Sequence, residues 1–266
     1  MRILKKISLR RKENKNSGKE YNGAIPQLRI DILRRNGLDC EPFWQSFEYT
    51  PRDISETVAS ALTRLNEQEE LQDINGNPAG EIRWESSCLQ KKCGACAMVI
   101  CGKPMLACDA VLMELKQPVR LEPLRKFPVV ADLMTDRTVM FRNLKEMEAW
   151  LEDKAEPSEK KNAFAHEASR CLQCGCCLEV CPNFMPEGRF FGMASMVPSS
   201  RILNWESVNQ NPAIKDQYRY HIYDGCGKSL ACQNICPAGI RIEDLMSRSN
   251  AAAVWRASSG KKSRGM

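Results

Sequence analysis

Histidine is nearly missing from this chain of 266 residues, which has only His166 and His221. Neither stands at ligand spacing from a cysteine, so both read as ordinary helix or surface residues. No run of about 18 apolar residues occurs, so no segment reads as a membrane-spanning helix. A Gly-rich turn between strand and helix, the usual cradle for a nucleotide, is also missing, and no acid, base or nucleophile constellation stands out. Residues 1–23 are basic and polar around Arg10, Arg11 and Lys12, without the apolar stretch that a twin-arginine signal needs. This composition reads as a flexible extension able to touch anionic lipid, and the basic run Lys261, Lys262 and Arg264 reads as a solvated tail. Neither end interleaves aromatics with its basic residues, which removes the usual nucleic-acid surface. The net charge, +6, is modest and sits mainly at the two ends.

Cysteine is what the chain has, fourteen in all. Their clustering, without a secretory signal, favours metal in a reducing compartment over disulfides. Cys171, Cys174, Cys177 and Cys181 give C-x2-C-x2-C-x3-C followed by Pro182, the run that bacterial-type ferredoxins use for cubane clusters. Three thiolates on one tight loop cap three irons, and the cysteine before proline ligates the other cluster. A second run, Cys226, Cys232 and Cys236 before Pro237, keeps that spacing with Ser229 where a cysteine is expected. Crossing the fourth ligands assigns Cys171, Cys174, Cys177 and Cys236 to a 4Fe–4S cluster. It leaves Cys181, Cys226 and Cys232 for a 3Fe–4S cluster. A Ser229 alkoxide on a fourth iron is the alternative for the second set, although sulfur is the preferred ligand. A pair of zinc knots is the other, and seven cysteines suit two tetrahedral sites poorly.

Upstream, Cys88, Cys93 and Cys96 follow the C-x4-C-x2-C spacing of plant-type ferredoxins, which Cys108 completes as a 2Fe–2S ligand set. A zinc site at this spacing stays open, because four thiolates alone do not exclude it. Gly94 suits a backbone that wraps closely round a cluster. Met98–Ile100 and Met105–Ala107 read as a hairpin that returns Cys108 to the loop, with Cys101 a spare thiol in its turn. Alternation over Leu28–Ile32 predicts a half-buried strand, and Phe43, Gln45, Phe47 and Tyr49 line one face of a second. Asp53 and Glu56 read as a capping box that starts an amphipathic helix over 54–67, with Val58, Leu62 and Leu65 on one stripe. Pro118 to Pro128 reads as an extended surface run, and Leu144, Met147 and Leu151 as a linker helix. Ala163–Ser169 and Gly188–Val197 read as helices packed round the clusters.

The expected class is α+β, a β-grasp domain followed by a mainly helical two-cluster domain. The expected divisions are an extension over 1–26, a 2Fe–2S domain over 27–141 and a linker helix over 142–157. A 4Fe–4S/3Fe–4S helical domain over 158–250 and a tail over 251–266 follow.

With these cysteines stand Arg83, Ala95, Ala97, Leu106, Ala107, Pro123, Leu124, Phe127, Pro128, Val129, Val130, Asp132 and Leu133. Together they resemble the iron–sulfur subunits of succinate dehydrogenase and fumarate reductase over about residues 28 to 246. The resemblance implies an electron relay with no dicarboxylate chemistry of its own. Its ends would be the FAD of a separate flavoprotein subunit and a quinone held by a membrane anchor. The place implied is the cytoplasmic side of the inner membrane. Cys40, Cys101 and Cys176 are then spare. At the quinone end the chain departs from many relatives, with Met185, Pro186 and Gly227 at positions of the family's tryptophans and histidine and Ala238 for a lysine. Those substitutions resemble menaquinone-type branches. Pro182, Lys228 and Ser229 remain as quinone-site candidates. Lys91 and Lys92 are expected to meet acidic groups of the flavoprotein. A soluble oxidoreductase with a thiol or protein carrier in place of quinone is the alternative function.

Overall fold

Branched and aromatic residues at alternate positions open the described chain as two strands, since they pack well on a pleated face. In the computed structural model, which describes residues 24–150, 159–203 and 212–255, β1 (Leu28–Arg34) pairs antiparallel with β2 (Phe43–Tyr49). Helix α1 (Val58–Asn66), the hairpin β3 (Ala97–Ile100) and β4 (Lys103–Leu106), and β5 (Val119–Glu122) follow. The sheet order is β2-β1-β5-β3-β4, with β1 and β5 parallel and the other neighbours antiparallel. Val58, Ala61, Leu62 and Leu65 of α1 are buried in one core with Ile30, Ile32, Ile100 and Leu121 of the sheet. Each such large apolar side chain contributes about 1.5–3 kcal/mol. A mixed sheet wrapped on a helix is the expected α+β, β-grasp arrangement.

Several local expectations are corrected. The run between Pro118 and Pro128 does not lie on the surface, because Val119–Glu122 is the central strand. Pro118 and Pro123 stand just outside it, so no ladder donor is lost, and Val119 and Leu121 are fully buried. The capping box is not formed. Thr57 caps α1 by accepting from the Ser60 amide at 3.3 Å, while Glu56 is buried and accepts from the Tyr49 hydroxyl at 2.6 Å. Asp53 accepts from the Ser55 amide and hydroxyl, closing a separate turn. β1 is not half-buried, because Asp31 is buried too, beside Arg29 and Ser46.

A short ribbon, β6 (Val129–Ala131) and β7 (Met134–Thr135), leads into α2 (Thr138–Glu146). This helix overlaps the predicted linker helix over 142–157 only at residues 142–146, among the described residues. It starts earlier because Asp136 accepts from the Thr138 amide at 2.8 Å, and Glu148, at φ 50, lies beyond its end. Residues 151–158, with Leu151 and the predicted domain boundary, lie outside the described residues.

The second half is helical: α3 (Glu159–Ser169), α4 (Cys176–Glu179), α5 (Met193–Leu203), α6 (Pro212–Tyr218), α7 (Ala231–Ile235) and α8 (Ile242–Asn250). α5 packs against α3 and α8. It starts at Met193 and not at Gly188: Gly192 has φ +71, and a Cβ there would lie 2.4 Å from Leu178. His221 is no surface residue. It is 5 % exposed, stacked on Phe191 at 3.8 Å, with Nε2 3.2 Å from the Glu146 carboxylate of α2. Among the described residues no helix is long and apolar enough to cross a membrane.

Candidate functional site

Leu89 and Lys91 both take left-handed backbone angles, φ 51 and 58, which turn successive amides inward on the loop after Cys88. The Gln90 and Lys92 amides each donate to Cys88 Sγ at 3.3 Å, and the Lys91 amide donates to Cys108 Sγ at 3.2 Å. Cys108 is returned by the β3–β4 hairpin, whose turn uses Cys101 and Gly102, both at positive φ. A further backbone bond, from the Ala107 amide to the Cys96 carbonyl at 3.0 Å, ties the hairpin end to the loop. The Gln90 and Lys92 amides, and then Cys93, lower Cys88 to about 7, while burial pushes Cys96 up to about 12. Cys93 is exposed and Cys96 buried, so the loop has one side at the surface and one in the core.

The first run of the second half lies on a turn through Gln173 and Gly175, at φ 49 and 85, that enters α4. Cys171, Cys174, Cys177 and Cys236 line one cavity, closed by Leu172, Met193, Val197 and Ile242. Burial pushes Cys171 up to about 11, and the neighbouring Cys174 and Cys236 add to it. Burial also holds Cys177 well above the ordinary thiol range, with Cys174, Cys171, Cys232 and Cys236 adding repulsion. Cys232 is raised to about 11, first by burial and then by Cys181 and Cys226. The fold therefore brings Cys236 into the cavity of the first run's trio, and it brings Cys181 and Cys226 near enough to Cys232 to raise its pKa. None of the fourteen cysteines is in a disulfide. A cavity lined by four thiols drawn from two loops suits a positively charged core set between them, which fits an iron–sulfur group.

The halves meet at the cysteine loops. Gly94, at φ +78, approaches the second run so closely that a Cβ would stand 2.6 Å from the Leu172 carbonyl oxygen. Phe127 packs on Phe184 with ring centroids 6.1 Å apart. Lys126 donates from Nζ to the carbonyls of Cys181 and Phe184, the latter at 3.1 Å. Its amide donates to Glu179 at 3.1 Å. Arg137 donates to the carbonyls of Gly94 at 3.0 Å, Ala95 at 3.1 Å and Cys174 at 3.3 Å, and pairs with Glu85. The sequence reading missed these two cations. Lys126 lies inside the Pro123–Pro128 stretch that carried the resemblance, while Arg137 has no local signal.

Asp132, 2 % exposed, anchors the segment before the first loop by accepting from the amides of Arg35 and Arg83, each at 2.9 Å. Arg34 Nε stands 3.0 Å from the same carboxylate, near enough to pair as charges though off the line of a hydrogen bond. Lys91 pairs with Asp109 of this chain at 2.5 Å, with both side chains 43 % exposed. Pro182, Lys228 and Ser229 are all exposed. Asn183 joins the two loops that bear them by donating to the Gly225 carbonyl at 2.7 Å.

Comparison with known proteins agrees with this geometry. A family model described as a 2Fe-2S iron-sulfur cluster binding domain matches residues 29–142, and one described as a 4Fe-4S dicluster domain matches residues 167–240. The succinate dehydrogenase iron-sulfur subunit of Bacillus subtilis is 35% identical over 224 residues, covering 80% of this chain and 87% of that protein. The fumarate reductase iron-sulfur subunit of Haemophilus influenzae is 27% identical over 196 residues, covering 66% of this chain and 73% of that one. A chain of the Mycobacterium smegmatis Sdh1 complex in the apo form shares the fold, with a TM-score of 0.68 and 19% identity, over 91% of this chain and 100% of that one. The sheet that carries one cysteine loop, the helices that carry the other two, and these matches together place the chain in the family of iron–sulfur subunits of succinate dehydrogenase and fumarate reductase.

Proposed function

We propose that the chain conducts electrons between the FAD of a flavoprotein subunit and a quinone at a membrane anchor, using three clusters in series. Cys88, Cys93, Cys96 and Cys108 hold the 2Fe–2S cluster; Cys171, Cys174, Cys177 and Cys236 hold the 4Fe–4S cluster. Cys181, Cys226 and Cys232 hold a 3Fe–4S cluster, with Ser229 leaving its fourth corner without iron. The clusters supply one-electron chemistry, each taking up and giving up a single electron. The chain's own work is to seat them and, in the first loop, to donate amides to the cysteine sulfurs. The cavity that Cys236 shares with Cys171, Cys174 and Cys177 carries this reading, because a ligand lent by the second run to the first run's set holds the two loops side by side.

The first loop, with Cys93 exposed and Lys92 beside it, faces the flavoprotein. Pro182, Lys228 and Ser229, exposed about the third set, face the anchor and its quinone, which we take to be of the menaquinone type. The chain then sits peripherally on the cytoplasmic side of the inner membrane.

Electron paramagnetic resonance of anaerobically purified protein tests the assignment. The expected record is a 3Fe–4S signal in the oxidised state, with 2Fe–2S and 4Fe–4S signals after reduction. A second 4Fe–4S signal in place of the 3Fe–4S would overturn the three-thiolate seating, and colourless zinc-containing protein would overturn the whole relay.

A further inference from the structure

Arg137 precedes α2, and its side chain, 13 % exposed, enters the seam between the first two cysteine loops. Nη1 donates to one carbonyl on each side, Gly94 at 3.0 Å and Cys174 at 3.3 Å. Nη2 donates to Ala95 at 3.1 Å and to the Glu85 carboxylate. A planar guanidinium directs several donors at fixed angles, which a single ammonium does not. Gly94 and Ala95 lie between Cys93 and Cys96, and Cys174 belongs to the next set, so one side chain grips the backbone of both. Glu85, 38 % exposed, lies nearer solvent and is better screened, so the ion pair presents its positive end to the two loops.

We infer that Arg137 is a positioning residue for electron transfer between the first two clusters: it fixes the spacing of their loops and holds a positive charge beside both. The inference rests on the proposed ligand sets. The transfer moves one electron, oxidising one cluster and reducing the other, and needs no proton or co-reactant. A nearby positive charge favours the reduced state of each cluster, so Arg137 raises both midpoint potentials together. Its fork keeps the loops at the short separation that the missing Cβ of Gly94 permits.

The test uses the full chain in its complex, with iron content, redox titration followed by paramagnetic resonance, and microwave power saturation of the reduced 2Fe–2S signal. In Arg137→Gln both midpoint potentials are expected to shift downward. The 2Fe–2S signal should saturate at lower power as its coupling to the neighbouring cluster weakens. Arg137→Lys should keep the potentials near those of the parent while losing part of the coupling, since one ammonium cannot grip both loops. Glu85→Gln, which leaves the fork in place and removes the counter-charge, should shift both potentials upward. It decides the matter if Arg137→Gln fails to assemble. Unchanged potentials and saturation in Arg137→Gln with full iron content would overturn the inference, as would an unchanged Glu85→Gln. If the parent protein itself lacks the two signals, the cluster assignment has failed, and with it the basis of the inference.

Discussion

Replacing Gly94 by alanine adds one methyl group where the two halves of the chain come closest. Two costs follow. At φ +78 a Cβ is strained whatever its surroundings, which costs about 1–2 kcal/mol. The methyl would also stand 2.6 Å from the Leu172 carbonyl oxygen and 2.9 Å from Cys174 Cβ, both in a cluster loop that cannot swing aside. Forcing an extra methyl into such packing costs about a further 1–3 kcal/mol. Gly76 separates the two terms, since it has the same φ, +78, with nothing within 4 Å of its Cβ position. Gly76→Ala should therefore lower the apparent Tm of the cluster-loaded protein only by the backbone cost. Gly94→Ala should lower it by a further amount on the order of 2–12 °C, at about 2–4 °C per kcal/mol for a chain of this size. The scans must share one heating rate, because cluster loss makes unfolding irreversible. Gly94→Ala should also weaken the magnetic coupling of the 2Fe–2S cluster to its neighbour. Equal Tm values for the two variants, with unchanged coupling, would refute the close approach.

Other perturbations probe the remaining parts. Cys176→Ala should keep full iron content, whereas Cys174→Ala should lose the 4Fe–4S signal and about four irons per chain by iron analysis, although both thiols are buried. Ser229→Cys should abolish the oxidised 3Fe–4S signal and add about one iron per chain, by restoring the fourth thiolate. Lys126→Met removes two bonds from a charged donor, each worth about 1.5–3 kcal/mol, and should lower the apparent Tm in thermal scans. It should also lower the midpoint potential of the Cys181 cluster while leaving the 2Fe–2S potential unchanged. Asp132→Ala leaves buried Arg34 without its counter-charge and should cost about 3–5 kcal/mol, read as a fall in apparent Tm with loosened 2Fe–2S loading.

The cysteine chemistry was legible because it is local. Five thiols within eleven residues, four of them at ferredoxin spacing and the last before proline, state a loop shape and a ligand set without reference to the rest of the chain. The β3–β4 hairpin was legible for the same reason, since its two strands are neighbours in sequence. What stayed hidden depends on distant partners. Val119–Glu122 is central because it lies between β1 and β3, and no local pattern within four residues tells a central strand from a surface run. Thr57 outcompetes Asp53 as a cap because Glu56 is drawn into a buried contact with Tyr49. Arg137 and Lys126 reach carbonyls 37 to 58 residues away, so no window of sequence could reveal them.

Backbone strain marks the cluster loops more directly than side chains do. Leu89 and Lys91 flank one loop position at φ 51 and 58, and Lys228 and Leu230 flank another at φ 56 and 55. Each left-handed residue costs about 1–2 kcal/mol unless something repays it. In the first loop the return is visible, because amides turned inward by that geometry point at the sulfurs of Cys88 and Cys108. The second loop holds the same alternation round Ser229, whose thiol is missing. A loop freed of any duty toward a cluster would be expected to relax to ordinary angles. Its retained shape fits the cluster proposed there on Cys181, Cys226 and Cys232. On the proposed ligand sets, exchange of one sulfur for one oxygen changes the number of irons held and leaves the loop as it was.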